Sequence, residues 1–195
     1  MLIVERRCPL LILALLLVAS LPLHCQRTAT PHNATKKPNV DWDALIPKIK
    51  ILLPDAMGCN EEMSVGDDSD VTGDGTPLAL VECAMGAYMD SMTFITLEKG
   101  EPVMARFRDG HGKPLGQDFI DGASVMHGAA TITLPAEHAI VQLSWNSPKD
   151  DEEPTVADCC GTAYIWNPRS KTFDIGPKLS PGLMERECHR QFQQQ

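Results

Sequence analysis

The chain has 195 residues, with 17 Lys and Arg against 26 Asp and Glu and a formal charge of −9. So acidic a chain excludes nucleic acid and anionic membrane surfaces as natural partners, because both would repel it. With 43% hydrophobic residues, only 5% aromatic and no repeat of solenoid length, it describes one ordinary globular domain in which few large rings are available for the core.

Residues 1–25 have the layout of a signal peptide. Glu5, Arg6 and Arg7 precede an apolar stretch from Leu10 to Leu23 that is broken only by Ser20 and Pro22. At about 14 residues this stretch is short of the roughly 20 that a spanning helix requires, so no membrane span is expected once the signal is cleaved. Cleavage fits after Ser20 or after Cys25. A lipid anchor on Cys25 is the alternative, disfavoured by His24 standing where a lipoprotein signal wants a small residue. Residues 26–40 lack apolar periodicity and read as a flexible polar tether. The triplet Asn33-Ala34-Thr35 within it matches a glycosylation acceptor, relevant only in a eukaryotic host. The expected location is secreted or periplasmic.

Residues 41–190 then read as a single globular domain. Asp41 resembles a helix cap ahead of Trp42, Leu45, Ile46, Ile49 and Leu52, whose spacing predicts a short amphipathic helix over Trp42 to Leu53 despite Pro47. From Leu78 the pattern changes to that of strands: Leu78 to Cys83, Met92 to Leu97, Val103 to Arg108, Ala139 to Trp145, Ala163 to Trp166 and Thr172 to Ile175. Turns are expected at residues 98–102 and 167–171. Along Ala139 to Trp145, Ala139, Val141, Leu143 and Trp145 share one face, with Gln142 and Ser144 on the other. The predicted class is α+β, a mostly antiparallel sheet of six to eight strands with one N-terminal helix, stapled by disulfides.

Seven cysteines are present. Cys8 and Cys25 lie in or beside the signal, and Cys59, Cys83, Cys159, Cys160 and Cys188 are disulfide candidates in an exported chain. If Cys25 is removed, five remain and one is unpaired; if it stays, sequence cannot choose among the connectivities. Adjacent Cys159 and Cys160 also suit thiol–disulfide or soft-metal chemistry, although neighbouring side chains on a strand point to opposite faces and each can bond a different partner.

The most pointed local signal is Asp70-Val71-Thr72-Gly73-Asp74-Gly75. Asp70, Thr72 and Asp74 place oxygen side chains at alternate positions of a loop that Gly75 lets turn, which resembles the first half of a calcium loop. The second half is missing, since Leu78 and Val81 stand at the later ligand positions; Glu61, Glu62, Asp67 and Asp68 lie upstream as substitutes. The bland reading is an Asp-Gly turn entering a strand. A second acidic run, Asp150 to Glu153, precedes Cys159 and Cys160, and a bond from Cys83 to either would bring the two acidic loops together. Met85, Tyr88, Met89 and Met92 cluster around Gly86 as core or as an apolar binding edge. His32, His111, His127, His138 and His189 show no ligand spacing, and no nucleophile elbow, phosphate-cradling loop or dinucleotide fingerprint is present.

Three landmarks together carry a resemblance. Asp70 to Val81 (DVTGDGTPLALV) is similar to the D-x-T-G-D-G-x-P opening of the mycobacterial LppP/LprE-type lipoproteins, and more loosely to a single FG-GAP repeat, one repeat being too few for a propeller. Cys83-Ala84-Met85-Gly86-Ala87-Tyr88 resembles the C-x-x-G-A-Y core of another exported family, and Cys159-Cys160-Gly161 with Tyr164, Trp166 and Phe173 resembles the ending of both. The resemblance spans Asp70 to Ile175 and departs from the family at Leu78, where an acid is usual. It implies an exported protein and a disulfide between Cys83 and the Cys159/Cys160 pair. The functional expectation is a non-catalytic domain binding an envelope protein or glycan, with no cofactor other than calcium at Asp70, Thr72 and Asp74. The rivals are thiol chemistry at Cys159/Cys160 and a calcium-stabilised spacer.

Overall fold

The computed structural model describes residues 39–53, 59, 63–84, 89–116, 119–123, 127–147, 154–176 and 179–192. The signal peptide, nearly all of the tether, Cys8, Cys25, Glu61, Glu62, Met85 to Tyr88 and the acidic run Asp150 to Glu153 lie outside the described residues.

Helix α1 (Trp42–Leu52) begins where the Asp41 side chain accepts from the Ala44 amide at 3.1 Å, which satisfies one of the free donors of the first turn. Trp42 and Ile49 are the face it buries, and Pro47 falls on its exposed side. The strands are β1 (Met63–Asp67), β2 (Leu78–Ala84), β3 (Met89–Glu98), β4 (Glu101–Met104), β5 (Phe107–Arg108), β6 (Phe119–Ala123), β7 (His127–Leu134), β8 (Ala139–Asn146), β9 (Cys159–Asn167) and β10 (Thr172–Ile175). Helix α2 (Pro181–Phe192) follows. The fold is α+β, as its hydrophobic pattern implies, with two α-helices and more strands among the described residues than the pattern counted.

All ten strands join one sheet, in the order β1-β2-β3-β6-β7-β8-β9-β10-β5, with β4 also paired to β3. Every pairing is antiparallel except that of β10 with β5. The single strand expected over Val103 to Arg108 is two short ones because the chain changes partner: Ala105 N donates to Phe94 O at 2.8 Å, and Arg106 O accepts from Phe173 N at 2.8 Å. Since β4 bonds β3 while β5 bonds β10, the ladder returns to β3 and closes into a ring, leaving β1 and β2 as an extension on the far edge of β3.

One face of the sheet carries the aromatic core: Phe94, Phe107, Phe119, Phe173 and Trp166 are buried together with Val71, Leu78 and Ile140, and Tyr164 packs against them. Phe107 is the hub, its ring centroid lying 4.9 Å from Phe119, 5.2 Å from Phe173, 5.3 Å from Tyr164 and 6.1 Å from Phe94. Six of the ten aromatic residues thus meet at one place. The opposite face is covered twice. Over β1 to β4, α1 buries Ala79, Val81, Cys83 and Ile95; over β7 to β9, α2 buries Ala130, Val141, Leu143, Trp145 and Ala163.

Each covered patch holds one disulfide, Cys59–Cys83 under α1 and Cys159–Cys188 under α2. The bond implied between Cys83 and the Cys159/Cys160 pair is therefore not made, because Cys83 belongs to the apolar patch under α1 whereas Cys159 belongs to that under α2. The second helix left a fainter trace in the sequence than the first. Its apolar residues are sparse, but Ser180 before Pro181 is a cap followed by a proline in the first turn, and Leu183 N donates to Ser180 Oγ at 3.3 Å. Met184, Cys188 and Phe192, four residues apart, form its inner stripe.

Replacing Phe107 by Ala removes the hub of the core and is expected to cost about 3–5 kcal/mol in a denaturant melt. The paired Cys159→Ser and Cys188→Ser change, which releases α2 without opening the core, is expected to cost about 2–4 kcal/mol.

Candidate functional site

The two ends of the ring differ. Near the start of β2 the aromatic core is plugged by the loop of residues 68–77, and Val71 at its tip is fully buried among Leu78, Ile140, Trp166 and Phe173. The loop holds its shape through short polar contacts. Ser69 Oγ bonds Asp67 Oδ1 at 2.5 Å and accepts from Leu78 N at 3.1 Å, and the Thr72 hydroxyl reaches the carbonyls of Ser69 and Thr76, each at 2.9 Å. Gly73 is required where it stands: its φ is +64°, and a Cβ there would collide with the His138 imidazole. That ring in turn donates from Nδ1 to Val71 O at 3.2 Å.

Asp74 ties the loop to the β9–β10 hairpin. Its Oδ1 accepts from Thr76 N at 2.9 Å, and its Oδ2 accepts from Trp166 Nε1 at 3.1 Å and Lys171 Nζ at 2.7 Å. Partial burial pushes the carboxyl pKa up, but the bonds from Lys171, Thr76 and Trp166 outweigh it and bring the value down to about 2. Alongside, Asp174 grips Arg108 through two parallel bonds of 2.7 and 2.8 Å and also accepts from Asn167 and Thr172. The Arg108 fork is the main cause of its pKa of about 2.

Of the three calcium candidates, Asp74 is thus turned toward a lysine, Thr72 is buried and bonded within the loop, and Asp70 lies on the exposed side. Among the described residues, no three His, Cys, Asp or Glu side chains are grouped so as to hold a metal ion.

At the other end of the ring the core face becomes polar. Along β2 it runs from Leu78 and Leu80 to Glu82, along β3 from Phe94 and Met92 to Asp90, along β8 from Ile140 through Gln142 to Ser144, and along β9 from Trp166 and Tyr164 through Thr162 to Cys160. Asp90 sits directly opposite Asp121 of β6, with Glu82 one strand over and held by Ser64 Oγ at 2.9 Å. Burial is the main cause that raises the Asp121 pKa; the backbone bonds from Thr131 and Gly122 oppose it, and the charges of Asp90 and Glu82 add to it. Like charges on facing strand positions repel, so this grouping is not explained by folding stability. None of these three acids stood out in the sequence, since each is an isolated charge there and only strand register assembles them.

Strand alternation also separates the two adjacent cysteines. Cys159 turns under α2 to Cys188, whereas Cys160 faces the polar end, exposed and free, 3.4 Å from Ser144 Oγ. Of the histidines, His138 serves the loop, His111 and His189 are exposed, and His32 and the His127 side chain lie outside the described residues. No family model, curated protein or solved structure matches the chain.

The depressed pKa of Asp74 sets a direction for acid stability. Its contribution is present above the ordinary carboxylate range and is lost as pH falls from about 4 to about 2, amounting to about 2 kcal/mol. Asp74→Asn is therefore expected to be less stable than the parent at neutral pH and to lose less on acidification, read as urea midpoints across that range. Identical acid slopes for the two proteins would contradict the assignment.

Proposed function

We propose that the chain is an exported, non-catalytic domain that binds another component of the cell envelope, a protein or a glycan with basic or hydrogen-bond-donating groups, through the polar end of its ring. The observation that carries the reading is the gathering of Glu82, Asp90 and Asp121 at the end opposite the plugged one. Two disulfides support export, because such bonds persist in oxidising compartments. Among the described residues no helix is long and apolar enough to cross a membrane. The resemblance to exported LppP/LprE-type proteins points the same way.

In this reading the acids stay unneutralised for a partner, at some expense in stability. Single Asp90→Asn and Asp121→Asn changes are accordingly expected to leave the melting temperature unchanged or raised, while reducing retention of envelope protein or glycan on the immobilised domain. Retention that is absent in the parent, or unaffected by both changes, would sink the proposal.

The exposed Cys160 favours one further reading, thiol exchange with a foreign disulfide. It does not act as a dithiol with Cys159, which is already bonded to Cys188. Alkylation of the native chain without reductant should label Cys160, and Cys160→Ser should abolish that label. If Cys160 resists alkylation, exchange chemistry at this thiol is ruled out.

A further inference from the structure

The two helices that cover the face opposite the aromatic core are held there differently. Helix α1 buries Trp42 and Ile49, and Lys48 Nζ reaches both carboxylate oxygens of Glu101 on β4, at 2.9 and 2.7 Å. Its disulfide lies outside it, joining Cys59, beyond the end of the helix, to Cys83 of β2. Helix α2 instead carries its disulfide in its own inner stripe, at Cys188, and the other members of that stripe, Met184 and Phe192, are only half-buried. Among the described residues no hydrogen bond or ion pair joins α2 to the sheet.

The ion pairs that α2 does make stay within it, and they surround a buried charge. Glu187, next to Cys188 in the chain, is only 2% exposed, and its partners are Arg186 Nε at 3.3 Å and Arg190 Nη1 at 2.8 Å, both on exposed residues of the same helix. Its Oε2 completes no hydrogen bond. Taking a carboxylate out of water is costly unless its bonding is complete. The docked position of α2 is therefore opposed by the residue beside its disulfide. At 12 residues the helix is also too short to persist in water once it leaves the sheet.

We propose that α2 is a redox-released strap: a dithiol reductant that opens Cys159–Cys188 frees the helix from the sheet while the ring stays folded. The attacking thiolate bonds the sulfur of Cys159, the half-buried partner, and expels Cys188 as a thiolate that takes up a proton. The second thiol of the reductant then displaces Cys159, and the reductant leaves as a cyclic disulfide. Two electrons and two protons thus end on the two cysteines. Release returns Glu187 to water and uncovers Val141, Leu143 and Trp145. Cys160 takes no part, since it faces the other side of β9. The aromatic core and its seam lie on that other side too, which is why the ring survives. The device uses neither Glu82, Asp90 nor Asp121, so it stands or falls apart from binding at the polar end.

The test uses the full exported chain and dithiothreitol without denaturant, with the opened bond identified by alkylation and mass and the release read by amide exchange. Opening Cys159–Cys188 is expected to speed exchange over Glu185 to Arg190 by about tenfold or more, while β8 and α1 keep their protection. The paired Cys159→Ser and Cys188→Ser variant is expected to show the same pattern with no reductant. Glu187→Leu, which removes the buried charge, is expected to hold α2 down after reduction, with exchange there about tenfold slower than in the reduced parent. A bond that resists dithiothreitol in the native chain overturns the proposal. So does unchanged exchange in α2 once the bond is open, and so does loosening of β8 along with α2, which would make the bond a staple of the whole sheet. Equal exchange in reduced Glu187→Leu and reduced parent overturns it as well.

Discussion

A parallel ladder only two residues long, Phe107–Arg108 against Phe173–Asp174, is what makes this sheet a ring. Everything inside depends on that seam, because Phe107 and Phe173 stack across it with centroids 5.2 Å apart and Phe107 reaches from there to Phe94, Phe119 and Tyr164. So short a ladder supplies few backbone bonds. The paired bonds from Arg108 to Asp174 reinforce it from the side chains, and the planar guanidinium fixes the angle as well as the distance in a way that a lysine would not.

The loop of residues 68–77 is the second fastening. Asp-x-Thr-Gly-Asp-Gly catches the eye as cation chemistry because calcium and a tight turn ask for the same residues: oxygen side chains at alternate positions and glycines where the backbone must bend. Here Asp74 spends its oxygens on the Thr76 amide, the Trp166 indole and the Lys171 ammonium, so that the positive charge beside it comes from the protein. That bond also explains why the acidic loop and the Trp166 hairpin occur in one sequence: they are two halves of one contact, separated by 92 positions.

What could be read from the sequence was what is local. Asp41 as a cap, the stripe of Trp42 and Ile49, and the alternation along Ala139 to Trp145 each follow from neighbours a few residues away, and the structure contains them as read. The kink at Ala105–Arg106 was not readable, because the alternation of Val103, Ala105 and Phe107 is continuous and only the change of partner from β3 to β10 breaks it. Strand β1 was hidden by Gly66 and by the acids around it, and α2 by its thin apolar stripe. The cysteine pairing failed for a related reason. A likeness of motifs says which residues stand on strands, but which face each occupies relative to a covering helix is decided by the ring as a whole. The grouping of Asp90 and Asp121 is of the same kind, a consequence of register alone.

The division of labour between the two faces follows from these constraints. The face bearing the aromatic core cannot be stapled, since its interior is filled by rings, so both disulfides lie on the other face, one under each helix. One bond ties Cys59 to β2 and the other ties α2 to β9. The ring can then tolerate, at its polar end, an arrangement that folding does not favour: two facing aspartates with a glutamate beside them, and a thiol outside any disulfide. The plugged end is held by the loop of residues 68–77, whereas Glu82, Asp90, Asp121 and Cys160 gather at the other end of the core face.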